Sequence, residues 1–178
     1  MFPTNFGPAG AVTSGPSLRV LRIVVVALAG GVISFALVAI SQNAAKPLVL
    51  GGKLQPLNVM LLGMGLAAAP LGVFLPLIVF NASRKQTASA VLAKDALAAR
   101  ILSIQQRMHV ATILGCAVLE GGAFANVFGY LQTRELLHLI LAGLLVLCIL
   151  ARFPTASGYQ QQIDDELRRL QEQELLQR

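Results

Sequence analysis

Residues 112–131 read TILGCAVLEGGAFANVFGYL. At about 20 residues the stretch has the length a helix needs to cross a bilayer core. A bilayer offers no partner to an open backbone, so a stretch of this kind is read as a helix. In its middle stands one carboxylate, Glu120. The fold class follows from the apolar length, and the functional question follows from the acid.

Three more windows have the same character. They are VLRIVVVALAGGVISFALVAIS at 20–41, LNVMLLGMGLAAAPLGVFLPLIVF at 57–80, and LLHLILAGLLVLCILARF at 136–153. With the span at 109–131 they predict an all-α integral membrane four-helix bundle. Composition agrees: 56% of the 178 residues are hydrophobic and 12% are charged, against about 25% charged in a soluble domain. Mean hydropathy is +0.71. The first apolar run is longer than a signal-peptide core and no A-x-A cleavage site follows it, so it is read as a span.

Net charge is +6. In a soluble protein this would suggest nucleic acid. Here it reflects the excess of Lys and Arg that cytoplasmic loops carry, and no nucleic acid is expected. Arg19, Arg22, Arg84, Lys85, Lys94, Arg100, Arg107, Arg152, Arg168 and Arg169 fall on one side of the spans. Lys46, Lys53 and Arg134 fall on the other. Both termini are therefore expected in the cytoplasm, in a multi-pass protein of the plasma (inner) membrane.

Between the spans the composition changes. Residues 1–17 are rich in Gly, Pro, Ser and Thr, and predict a disordered tail. The 43–56 loop holds Gly51-Gly52 between short apolar stretches, a weak hairpin signal. In the 81–108 loop Leu92, Leu97, Ile101, Ile104 and Met108 form a rough helical stripe. It predicts a helix from about Thr87 that runs into span three. Pro154 stops span four. The tail 156–178 then reads as an amphipathic helix, with Asp164, Asp165 and Glu166 early and Arg168, Arg169 and Arg178 late, as the helix dipole favours. In span two Pro70 and Pro76 each remove a helical hydrogen bond and predict a kink.

Span three has two polar or small faces. At 100° per residue, Gly115, Gly122 and Gly129 lie within about 40° of each other, with Asn126 on the same side. Such a stripe is a helix-packing face, because small side chains let backbones approach. Glu120 points about 140–160° away, sharing its face with His109, Cys116, Ala123 and Val127. Burying an unpaired charge costs several kcal/mol, so Glu120 is expected as a neutral acid that donates a hydrogen bond. Acceptors in reach of that expectation are carbonyls freed by Pro70 or Pro76, Ser34 and Asn58. Cys116 and Cys148 show no metal or disulfide spacing. His109 and His138 fall at opposite ends of their spans. No cofactor, metal motif, phosphate loop or Ser/His/Asp set is read, so no enzymatic activity is expected.

Thr112, Ile113, Gly115, Ala117, Leu119, Glu120, Gly121, Ala123 and Phe124, followed by Arg152-Phe153-Pro154-Thr155, carry a resemblance. This part of the chain resembles a group of small uncharacterised bacterial four-span membrane proteins. Their third span holds a TIIGAALLEGAAFF-like run, and their fourth ends in an RFPT-like turn. The resemblance implies a layout and no activity. The LEGGAF run at 119–124 is also similar to the ion-binding helix of rotary ATP synthase c-subunits, in which a mid-helix Glu carries the proton; Glu120 is the matching residue. Departures are the prolines of span two and the long loop after it.

The sequence thus supports a non-enzymatic structural or assembly subunit that packs through span three. The alternative is a proton or cation conduit using Glu120. Expected partners are the lipid bilayer, a second copy or another membrane protein, and a soluble protein for the C-terminal tail.

Overall fold

A computed structural model describes the backbone of residues 15–45, 47, 49, 55–91 and 97–176. These residues form five helices and no named strand. They are α1 (Gly15–Asn43), α2 (Pro56–Val91), α3 (Leu97–Thr133), α4 (Leu136–Ala151) and α5 (Ala156–Leu176). Three helices hold segments long and apolar enough to cross a membrane: Leu18–Asn43, Pro56–Ala82 and Ile101–Thr133. The number becomes four if α4 and α5, bent by 64° at their junction, are taken as one broken span. With 16 residues, α4 alone is about 24 Å long, against about 30 Å of hydrocarbon.

The α3 helix is innermost. It touches each of the other four, and 44% of its most apolar window is buried, against 22% for α1 and α2. The core follows from its small and β-branched residues. Cys116, Leu119, Ala123 and Val127 of α3 pack with Val25, Ala29 and Val32 of α1 and with Leu145 and Ile149 of α4. On the outer faces the chain shows large apolar side chains to its surroundings. Leu66 is 69% exposed, Phe74 60% and Ile78 62%. Patches of this kind are rare on soluble proteins and suit lipid.

A second cluster ties down the tail. Tyr159 and Ile163 of α5 pack with Leu18 of α1 and with Ile101, Ile104 and Met108 of α3. Tyr159 Oη lies 3.1 Å from His109 Nε2, with the two rings stacked. The bend into α5 is held from α1. Arg22 Nε donates to the Pro154 carbonyl at 3.1 Å, and its guanidinium lies 5.5 Å from the Phe153 ring centre. Tyr159, Ile163 and Leu167 thus pack the first part of α5 on the rest of the chain.

Several expectations meet a different arrangement. Residues 87–91 continue α2, and α3 opens at Leu97, so the helix expected from Thr87 is divided between two elements. Leu92 and Lys94 lie outside the described residues, as do residues 1–14 of the N-terminal tail and half of the 43–56 loop. From that loop Val49 is described, and it forms an isolated parallel bridge with Glu135. Pro70 and Pro76 both lie inside α2, where each removes a helical hydrogen bond. Pro76 is buried against Gly115 of α3, whose missing side chain makes room for its ring.

Candidate functional site

The glycine stripe of α3 is occupied within the chain. A Cβ on Gly115 would meet Gly72 O at 2.9 Å and the Pro76 ring at 2.8 Å. One on Gly122 would collide with Ala68, and one on Gly129 would come 2.6 Å from the His138 ring. The stripe is therefore the seam on which α2 and α4 close against α3. Asn126, on the same seam, is fully buried. Its Nδ2 donates to Gly122 O at 2.8 Å and to Leu61 O of α2 at 3.3 Å. Gly65 leaves the space that the Asn126 amide fills.

Around Asn126 the chain assembles a polar cluster from three helices. His138 Nδ1 lies 3.1 Å from Asn126 Oδ1. Asn58 Nδ2, from the first turn of α2, donates to Glu135 Oε1 at 3.3 Å. Asn58 is 2% exposed, Glu135 6% and His138 0%. The tight turn between α3 and α4 makes this convergence. Arg134 adopts φ 61°, a left-handed conformation that commonly ends a helix. Val49 completes the turn: its N–H donates to Arg134 O at 3.1 Å, and its carbonyl accepts from Leu136 N at 3.2 Å. That second bond satisfies one of the free donors at the start of α4. Two buried polar atoms in the cluster, Asn58 Oδ1 and His138 Nε2, have no hydrogen-bond partner among the described residues.

Glu120 is elsewhere, about two turns along α3 from Asn126 toward the α5 end. It is half-buried at the seam between α3 and α1. A Cβ on Gly31 of α1 would lie 3.8 Å from Glu120 Oε1 and 3.7 Å from Phe124. Phe35 and Phe124, with ring centres 5.6 Å apart, close the seam on one side. On the other the surface is low: Cβ atoms on Gly30 and Gly121 would meet nothing within 4 Å, and Ala27, Ser34 and Ala117 are exposed. No hydrogen bond to Glu120 forms among the described residues. Asn58, one of its expected acceptors, is engaged with Glu135 instead. The other residues sharing the helical face of Glu120 divide by depth. Cys116, Ala123 and Val127 are core against α1, and His109 pairs with Tyr159.

The cluster of Asn58, Glu135 and His138 was not assembled by sequence reasoning. Its signal was present, since Asn58 and His138 are polar groups inside apolar segments. Only the turn at Arg134 and the register of α2 bring them together.

No family model, curated protein or solved structure matches the chain.

Proposed function

We propose that the chain is a non-enzymatic assembly subunit of a membrane, with four spans and both termini cytoplasmic, that self-associates through the α1–α3 seam around Glu120. The observation that carries this reading is the half-buried Glu120 at mid-span, without a hydrogen-bond partner among the described residues, beside a low surface of Gly30, Gly31, Ala117 and Gly121. A second copy placed here brings backbone close to backbone, as small residues allow. It also gives the Glu120 carboxyl group a partner, with the Ser34 hydroxyl one turn from Gly31 as an acceptor. A two-fold interface puts the same patch on both copies. The glycine stripe of α3 is already filled by α2 and α4, so association through α3 uses its other side.

The test is cross-linking of full-length protein in native membranes. Cys148 is exposed and is first replaced by Ser; Cys116 is buried. Gly121→Cys is then oxidised. A disulfide dimer is the expected result, and a Leu144→Cys control on the exposed outer face of α4 gives none. Equal cross-linking at both positions contradicts the reading.

The same observation at Glu120 favours one alternative, proton or cation translocation. It is separated by flux into liposomes. Under the assembly reading Glu120→Gln changes no flux, whereas a conduit loses its flux when the carboxyl group is removed.

A further inference from the structure

A second feature has no part in self-association. At the α5 end, α2, α3 and α5 enclose an open cleft of about 450 Å³. One wall is apolar and includes Val73, Leu77 and Phe80 of α2. The lining from α5 carries charge in Asp165, Glu166 and Arg169, and Arg152 also lines the cleft. The Arg152 guanidinium reaches inward until Nη1 lies where a Cβ on Gly115 would be. A cation is thereby placed beside the apolar wall, below the level of the helical tail.

Among the described residues the charges of the cleft comprise one surface ion pair and two groups without one. Arg169 Nη1 and Glu166 Oε1 lie 3.6 Å apart. Arg152 and Asp165 have no ion pair among the described residues. The lining therefore presents one open cation and one open anion next to a hydrocarbon-like surface. Guanidinium matches phosphate geometry through paired N–H donors. A carboxylate at the rim matches an ammonium group that still has N–H donors.

We propose that this cleft binds a phospholipid with an ethanolamine headgroup: phosphate on Arg152, ammonium on Asp165, and an acyl chain along Val73, Leu77 and Phe80. The charge pattern sets the selectivity. A choline headgroup has no N–H to give Asp165, and a glycerol headgroup brings no cation to it. The inference rests on the chain lying in a membrane and is independent of the assembly reading.

The experiment is native mass spectrometry of the full-length protein in detergent, with ethanolamine, choline and glycerol phospholipids of matched acyl chains. The ethanolamine lipid should form the most abundant retained adduct, several-fold above the other two. Asp165→Asn should bring it down to the level of the choline lipid and leave the glycerol lipid unchanged or higher. Arg152→Gln should reduce all three. Because Arg152 also packs against Gly115, Leu77→Trp provides a second variant. Leu77 is 53% exposed, so a larger side chain fills the cleft with both charges intact, and it too should reduce all three adducts. Deacylated glycerophosphoethanolamine should leave no adduct. The proposal is overturned if the glycerol lipid binds best to the unmodified protein, if Asp165→Asn does not alter the preference, if Leu77→Trp leaves adducts unchanged, or if the deacylated compound binds as well as the lipid.

Discussion

His138 and Asn126 share a 3.1 Å hydrogen bond across the α3–α4 seam, and its direction is fixed by the other bonds of Asn126. Both carbonyl contacts of that side chain use Nδ2 as donor, so Oδ1 is the acceptor. A proton therefore sits on His138 Nδ1, which donates to Asn126 Oδ1. Three helices are linked through this amide: α2 by Leu61 O, α3 by Gly122 O and α4 by His138.

Removing that amide should be costly. Asn126→Ala leaves His138 Nδ1 buried without its partner, and a loss of about 1–3 kcal/mol is expected. In a double-mutant cycle with His138→Ala the coupling should be about 0.6 kcal/mol and no more than about 1.7 kcal/mol, the range for hydrogen bonds between spanning helices. Reversible unfolding in mixed detergent micelles measures both quantities. A coupling of zero would show that the bond adds nothing to the seam.

Gly129 of α3 leaves the room that the His138 ring of α4 fills. A methyl group there would sit 2.6 Å from His138 Cε1, and the ring is fully buried. Gly129→Ala should destabilise by about 1–3 kcal/mol, the usual cost of overpacking. Gly143→Ala is the control, since its Cβ would meet nothing within 4 Å and Ala favours helix by up to about 1 kcal/mol. Thermal unfolding of the two variants should move in opposite directions.

Arg22 is the link between α1 and the bend into α5. Arg22→Ala removes the hydrogen bond to Pro154 O and the contact with the Phe153 ring. Hydrogen exchange should then rise in α5, while the α3–α4 seam keeps its protection. Arg22→Lys retains the charge without the planar fork and should restore protection only in part. Unchanged exchange in α5 would mean that the contacts of Tyr159 and Ile163 alone hold the tail.

Much of the fold was legible in the sequence because a bilayer permits so few solutions. The apolar windows at 20–41, 57–80 and 109–131 fall inside α1, α2 and α3, since length and hydropathy alone decide them. The stripe of Gly115, Gly122 and Gly129 was legible as a face, but its occupant was not. Helical periodicity states which residues share a side and is silent on which helix covers it. The boundary near Thr87 was not legible, because an Ala-rich segment without Gly or Pro carries no stop signal. Among the candidate site residues Glu120 stood out as the only acid in an apolar run. Asn58, Glu135 and His138 did not, because their meeting depends on the left-handed turn at Arg134, and Arg has no preference for that conformation that a sequence could reveal.

Association through the α1–α3 seam is tested most directly by counting subunits in lipid nanodiscs, by native mass spectrometry, for the unmodified chain, Gly121→Leu and Glu120→Gln. The account predicts two copies for the unmodified chain and for Glu120→Gln, whose amide still hydrogen-bonds. It predicts one copy for Gly121→Leu, whose side chain projects from a surface that is now low. A single copy in the unmodified protein, or two copies in Gly121→Leu, would contradict it.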